Sequence, residues 1–515
     1  MKLTILATSD MHGYIQPTNY AEKGADLPFG TAKVATKMQE LTAKADGPVV
    51  KIENGDFIQG SPLSYYAAKQ KQDPAEITKV INHMGYDVGL LGNHEFNYGL
   101  PYLEKAIKSY NHPILAANVL DKDGKPYFGD PYVILEKAGI KIAILGVVTQ
   151  YIPHWEQPAT VKDLTFKSLV ATAKEYVPKL RELADVVIVS YHGGFEKDLV
   201  TGEATEMLTG ENEGYELLQT VSGIDAFVTG HQHREIATVV NGVPVIQPGF
   251  RGNYIGKITL DLNKTGDKWQ VSNPAAEIVA TKDAKADGEV VGLIQELDHE
   301  LENWLDQPVG KVQGDMHITD PMGARISEHP YIEFINRVQM WASGAKISGT
   351  ALFNNEGKGF GEVITMRDVI TNYIYPNTLA VLKITGADLK AALEQTANYL
   401  VLEDGQIVFN PKFIDPKPQY YNYDMYEGID YAIDLSKPYG EKITKLQLAG
   451  ADILPDDKLE VVMNQYRAVG GGNYAMFSAD KIVKEIPRDM TEVIAEYLQA
   501  HPVLKAEVNH NFSVK

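Results

Sequence analysis

Five short apolar runs in this chain each lead into residues able to bind a metal ion, and together they supply seven such residues. Residues 4–9 run into Asp10 and His12, and residues 49–55 into Asp56. Residues 88–92 run into Asn93 with His94 beside it, 186–191 into His192, and 226–230 into His231 and His233. Short β-branched runs read as buried strands, and open α/β sheets bind ligands beyond the carboxyl ends of their strands. Singly, each residue has an ordinary explanation. A His after a strand is commonly a core residue, an Asp commonly caps a helix, and Gly92-Asn93 could turn the chain. Five such placements together point to one site. Imidazole, carboxylate and amide donors suit Mn, Zn, Fe or Co better than Ca or Mg, which prefer all-oxygen sites. Two such cations about 3.5–4 Å apart neutralise phosphoryl oxygens and produce hydroxide near neutral pH, which is what phosphate-ester hydrolysis needs. Holding them so close requires an anionic bridge. Asp56, placed between the other groups in sequence, is the expected one.

The elements that must position these residues fall into two domains, since 515 residues exceed what one core usually serves. Residues 1–285 alternate strand-like runs with helix-like segments such as 74–84 and 161–183, the pattern of a layered α/β domain. Residues 197–214 are polar and Gly-rich and read as a loop at the rim of the site. Val290, Leu293, Ile294, Leu297, Leu301, Trp304 and Leu305 recur at helical spacing, so 286–306 reads as a linker helix stopped by Pro308 and Gly310. Residues 307–515 form a second, smaller α/β or α+β domain. Its expected helices are 331–341 and 387–400, and its expected strands 379–384, 431–434, 443–448 and 459–464.

The net charge of −20 argues against a nucleic-acid duplex or an anionic membrane as partner, because both require clustered Lys and Arg. A phosphate substrate must then be attracted locally, and divalent cations supply that charge. There are no cysteines, so disulfides and thiolate ligands are excluded. Met1-Lys2 leads directly into the first ligand-bearing run, which predicts a cytoplasmic protein if Met1 is the natural start, and an extracellular or cell-surface one if the chain is a processed form.

The motifs Asp10-Met11-His12, Gly55-Asp56, Gly92-Asn93-His94-Glu95, His192 and Gly230-His231-Gln232-His233 resemble, in order, the calcineurin-like metallophosphoesterase set. With the two-domain length and 464–472 (NQYRAVGGG), the chain is similar to the 5′-nucleotidase superfamily. Segments 55–63, 93–100, 375–379 and 421–434 look closer to its bifunctional 2′,3′-cyclic-nucleotide 2′-phosphodiesterase/3′-nucleotidases. The resemblance implies a β-sandwich flanked by helices. It implies one metal on Asp10, His12, Asp56 and His233, and a second on Asp56, Asn93, His192 and His231. His94 would stabilise the transition state and protonate the leaving oxygen. Two departures stand out: Asn97 replaces the Asp that pairs with the catalytic His in 5′-nucleotidases, and the loop at 354–360 (NNEGKGF) lacks their phosphate-binding Arg. Both favour the cyclic-nucleotide branch. The substrate implied is a small-molecule nucleotide. Tyr466 stands where the superfamily keeps a base-stacking aromatic, and stacking contributes about 1–3 kcal/mol per base. Tyr375 is the first choice for the opposite face, Tyr423 the second; Asn354, Asn355 and Asn464 are expected near base or ribose. The rival readings are a 5′-nucleotidase or UDP-sugar hydrolase, and a non-catalytic nucleotide-binding protein.

Overall fold

The structure is a computed structural model. It describes every residue except 207, 267, 376, 416 and 487, so Pro376 of the Tyr375 motif lies outside the described residues. The chain divides into two compact units, Met1–Leu301 and Glu302–Lys515.

The first unit is built on β1 (Lys2–Thr8), β2 (Val49–Glu53), β3 (Val88–Leu90), β4 (Ile114–Leu115), β5 (Tyr132–Lys137) and β6 (Ile140–Val148). It continues with β7 (Val186–His192), β8 (Ala226–Thr229), β9 (Glu235–Val240), β10 (Val243–Pro248), β11 (Tyr254–Thr265) and β12 (Lys268–Ala280). They form two six-stranded sheets, ordered β12-β11-β1-β2-β3-β4 and β9-β10-β8-β7-β6-β5. The centres are parallel: β1 to β4 in the first sheet, and β6, β7, β8 and β10 in the second. The period-2 alternation of a strand explains the layering. Leu3 and Ile5 of β1, Ile142 and Ile144 of β6, and Val186 and Ile188 of β7 share one core between the sheets. The intervening Ala143, Leu145, Val187 and Val189 belong to a second core with Leu169, Ala173, Val177 and Leu180 of helix Leu169–Leu183. A β-sandwich with a helical layer results.

Several expected elements change. The helix expected over 161–183 starts only at Leu169, where Ser168 accepts a hydrogen bond from the Ala171 N–H and caps it. Ahead of it, Thr165–Phe166 is a strand paired with Val119–Leu120. The linker helix is two helices, Gly288–Leu293 and Gln295–Leu305, and Pro308 opens a strand, Pro308–Gln313. Strands β9 to β12, of which β9, β11 and β12 widen the two sheets by antiparallel pairing, were not singled out from the sequence.

In the second unit, β13 (Ile347–Ala351), β14 (Leu379–Thr385), β15 (Asp424–Glu427), β16 (Lys458–Asn464) and β17 (Ile482–Ile486) form a sheet ordered β15-β13-β16-β14-β17. Only the β13–β16 pairing is parallel. Helices Pro330–Ser343 and Gly386–Asn398 contribute Phe334, Val338, Leu389 and Leu393 to a core shared with Val381, Val461 and Val462. The expected strands at 431–434 and 443–448 lie in a separate four-stranded sheet as Asp430–Ile433 and Ile443–Leu448. The architecture is an α/β sandwich domain followed by a smaller α+β domain. No helix among the described residues is long and apolar enough to cross a membrane.

Candidate metal centre

The seven residues follow the carboxyl ends of five parallel strands drawn from both sheets. Asp10 and His12 follow β1, Asp56 follows β2, Asn93 follows β3, His192 ends β7, and His231 and His233 follow β8. Their donor atoms converge. His12 Nε2 stands 3.1 Å from His233 Nε2, which stands 3.3 Å from Asp10 Oδ1. Asp10 Oδ1 is 3.8 Å from His192 Nε2, itself 3.1 Å from Asp56 Oδ2, and His231 Nδ1 is 2.8 Å from Asn93 Oδ1. Metal–ligand bonds of about 2.0–2.2 Å in tetrahedral or octahedral geometry separate neighbouring donors by roughly 2.8–3.6 Å. Asp56 Oδ2 and His192 Nε2 are buried and face each other without the alignment of a hydrogen bond, as two ligands of one cation do. The residues present therefore fit a divalent metal. Two donor groups emerge, Asp10–His12–His233 and Asp10–Asp56–His192. Asp10 is the residue common to both groups, whereas Asp56, singled out from the sequence as the bridge, stands in the second.

The local backbone is strained to achieve this. Asp10, His12, Asp56, His231 and His233 all have φ between 50° and 67°, a left-handed conformation that costs non-glycine residues of order 1–3 kcal/mol each. Surrounding groups hold them there. Glu95, buried, accepts from the N–H groups of Gly92 and Asp56 through Oε2, and of Phe57 and Ile58 through Oε1. Asn54 ties the strand ends together, accepting from Ser190 Oγ and donating to Ser9 Oγ and the Tyr191 carbonyl. Three imidazoles are oriented by their second nitrogen. His12 Nδ1 pairs with the Gln59 carbonyl at 3.1 Å, His192 Nδ1 with the Asn54 carbonyl at 2.6 Å, and His231 Nε2 with Glu211 Oε1 at 2.8 Å. Each such N–H donation leaves the other nitrogen's lone pair for a metal. Glu211 lies in the 197–214 segment read as a rim loop, so that loop orients the candidate ligand His231.

Charge follows the same arrangement. Against burial, His192 and His233 hold the Asp10 carboxyl below the usual range, and His192 and His94 hold Asp56 well below it. Burial pushes His12 down to about 4, while Asp56 and Asp10 outweigh burial and raise His192 to about 10. Burial, then Asp56, pushes Glu95 up to about 7.

His94 lies beside the donors, its ring centroid 5.3 Å from that of His12 and its backbone N–H donating to Asp56 Oδ1 at 2.8 Å. Its Nδ1 is 2.7 Å from Asn97 Oδ1. Glu95, Asn54, Glu211 and Asn97 act behind the donors. Of these, the sequence marked Asn97, as the replacement of the Asp expected to pair with the catalytic His, and Glu95 could have been marked by its place in the Gly92-Asn93-His94-Glu95 motif.

In the second unit the expected substrate residues divide. Tyr466 and Tyr375 are half-buried, Tyr466 edge-on to Tyr421 at 6.3 Å and Tyr375 edge-on to Phe353 at 5.4 Å. Tyr423 is 1% exposed within the core, so its ring has no face open to a base and that expectation is withdrawn. The three asparagines have structural partners. Asn464 caps helix Gln465–Ala468 through the Arg467 N–H, Asn354 accepts from the N–H groups of Glu356 and Gly357, and Asn355 accepts from Arg325.

Comparisons with known proteins agree with this organisation. Residues 3–235 match the calcineurin-like phosphoesterase family, and residues 308–479 match the 5′-nucleotidase C-terminal domain. A 2′,3′-cyclic-nucleotide 2′-phosphodiesterase/3′-nucleotidase of Salmonella typhimurium is 30% identical, over 98% of this chain and 87% of that protein. A trifunctional nucleotide phosphoesterase of Bacillus subtilis is also 30% identical over 99% of the chain, which spans only 39% of that longer protein. A putative 5′-nucleotidase from Staphylococcus aureus, solved in complex with α-ketoglutarate, superposes with a TM-score of 0.94 at 36% identity, covering all of both chains. A calcineurin-like phosphoesterase domain joined to a 5′-nucleotidase C-terminal domain, in a chain so related over its full length, makes this protein a member of the 5′-nucleotidase family of metallophosphoesterases.

Proposed function

We propose that the protein hydrolyses nucleotide phosphoesters, opening 2′,3′-cyclic nucleotides to 3′-nucleotides and then releasing phosphate from the latter. The convergence of seven donor groups at one edge of the sandwich, with His94 beside them, carries this reading. Residues 1–285 do the chemistry, residues 307–515 bind the nucleoside, and 286–306 link them. Two divalent cations of the Mn, Zn, Co or Fe class, when bound there, would supply Lewis-acid neutralisation of the phosphoryl charge and acidify water. Asp10, His12, Asp56 and His233 would hold one, and Asp56, Asn93, His192 and His231 would hold the other. His94 keeps its Nδ1–H on Asn97 Oδ1, which leaves Nε2 to deliver a proton to the departing ribose oxygen.

Tyr375 and Tyr466 are the proposed base platform. Their segments are neighbours, since Leu379 pairs with Asn464 and the Gln465 N–H donates to the Thr378 carbonyl at 2.9 Å. The choice of a singly charged cyclic diester over a dianionic 5′-monophosphate is supported by the loop at 354–360. Arg325, 1% exposed, directs Nη1 to the Pro321 carbonyl and Asn355 Oδ1 and Nη2 to the Leu352 carbonyl. Initial rates on 2′,3′-cyclic AMP, 3′-AMP, 5′-AMP and a UDP-sugar, with Mn, Co or Zn supplied, test the proposal. The first two should be the fastest. A clear preference for 5′-AMP overturns the substrate assignment, and absence of turnover with every metal overturns the enzyme.

A further inference from the structure

The replacement of Asp by Asn at position 97 leaves an imidazole facing an uncharged amide, and the structure shows what stands behind that amide. Asn97 Nδ2 donates to Glu156 Oε1 at 2.5 Å, while Asn97 Oδ1 stands 2.7 Å from His94 Nδ1. Glu156 comes from the other sheet. It follows the turn Ile152–His154 that leaves the carboxyl end of β6, and its own N–H donates to the Ile152 carbonyl at 3.1 Å. It is 8% exposed. A sixth strand end therefore contributes to the site.

The chemistry of the three groups fixes their direction. Burial pushes the Glu156 carboxyl up to about 7; ionised above that pH it only accepts, so the Asn97 amide turns its NH2 toward Glu156 and its oxygen toward His94. An amide oxygen only accepts, so His94 must carry a proton on Nδ1, which leaves Nε2 as the atom that exchanges protons. With Glu156 absent, the amide can rotate by half a turn and present NH2 to Nδ1, which selects the opposite tautomer. The carboxylate's charge also polarises the amide, which strengthens the hydrogen bond that its oxygen accepts from the Nδ1–H. We propose that Glu156 is a positioning residue for His94, acting through Asn97 as a buried carboxylate in a His–Asn–Glu relay. This rests on the reading of His94 as the proton donor to the leaving group.

Leaving-group dependence separates this role from general support of the site. A p-nitrophenolate needs no proton to depart, whereas a ribose or unsubstituted phenol oxygen does. In the full-length, metal-loaded protein, Glu156→Gln should lower kcat on 3′-AMP and on phenyl phosphate esters about 10- to 100-fold, with KM within about threefold. The loss on the p-nitrophenyl esters should be far smaller. Asn97→Asp alone places two carboxylates face to face and should also slow the reaction. Asn97→Asp combined with Glu156→Gln rebuilds a direct ion pair and should recover most of the rate. Equal losses on both leaving groups, or failure of the double variant to recover, overturns the relay. A wild type that hydrolyses aryl esters but no nucleotide would refute the nucleotide assignment and leave this comparison intact. If no ester is turned over, the imidazole N–H resonance assigned to His94 by its loss in His94→Gln decides the hydrogen-bond chain. Its displacement in Glu156→Gln supports the relay, and an unchanged resonance overturns it.

Discussion

Glu95→Gln should loosen the metal centre without removing any donor. The Glu95 carboxylate is 4% exposed and accepts four backbone N–H groups, two on each oxygen, from the loops that carry Asp56 and Asn93. Glutamine keeps the shape but turns one oxygen into an NH2 group, which faces two N–H donors and satisfies neither. Leaving a buried donor unpaired costs about 1–3 kcal/mol, so two cost about 2–6 kcal/mol. That penalty falls on the arrangement in which Asp56, Asn93 and His94 are aligned. At about 1.4 kcal/mol per tenfold, the fraction of molecules ready to bind metal falls by roughly 30-fold to 10⁴-fold, and the apparent Kd for Mn²⁺ rises by the same factor. Competition with a fluorescent chelator at pH 8 measures the affinity. Hydrogen exchange over residues 54–60 and 90–97 should show the freed amides losing protection. At saturating Mn²⁺, kcat should return toward the wild-type value, because all seven donors remain. Affinity and exchange indistinguishable from wild type would show that Glu95 is not the clamp described here.

Three further outcomes are expected. Gly92→Ala would place a Cβ 2.2 Å from Asp56 Oδ1 and 2.7 Å from its backbone nitrogen, so Asp56 must move; bound metal by elemental analysis should drop and kcat/KM should fall at least about 100-fold, whereas full metal content would contradict the packing argument. Tyr466→Ala should raise KM for nucleotides about 5- to 150-fold, from a stacking contribution of about 1–3 kcal/mol, and affect p-nitrophenyl esters little; an unchanged nucleotide KM removes Tyr466 from the base platform. Glu333, 2% exposed, is pushed up to about 7 from 4.5 by burial and by Glu427 and Glu328, against the pull of Arg337. The folded unit therefore holds this proton more tightly than the unfolded chain does, and the associated stability is present below pH 4.5 and lost as pH rises toward 7. Glu333→Gln should then stabilise the second unit at pH 8 by up to about 3 kcal/mol and hardly at all at pH 4.5, as read from its melting transition; equal stability at both pH values contradicts the shift.

The donors could be read from the sequence because their signal is local. Each stands within a few residues of a buried strand's end, and a run such as 186–191 leading into His192 shows both the strand and its terminus. The groups that hold the donors give no such signal. Glu211 reaches His231 across 20 residues and Asn97 reaches Glu156 across 59. Among 68 acidic residues, nothing in composition or spacing marks the particular glutamates that fold back on the site. The second unit shows the same limit. Tyr423 sits in a Tyr-rich stretch that resembles a ligand-contacting loop, yet tertiary packing buries it, while β13, all of it buried, is short and carries Ser, Gly and Thr in place of an apolar run. Ser168 was legible as a cap in hindsight, but the apolar spacing on its amino side continued the helical pattern and concealed the break.

The distribution of strain explains why the site needs so many supporting groups. Five candidate ligands in left-handed conformations together cost of order 5–15 kcal/mol, comparable with the whole net stability of a domain. A cation could offset part of that by binding only the folded state, but its contribution vanishes as its concentration falls below Kd. The offset must therefore come mostly from the protein. The two sheets supply it with a shared apolar core directly beneath the ligand loops, and Glu95 and Asn54 tie those loops to one another with hydrogen bonds that need no metal. Preorganisation of this kind keeps the donors at ligand spacing before any ion arrives, so metal affinity reflects how firmly Glu95, Asn54 and Glu211 hold the loops as much as which donor atoms line them.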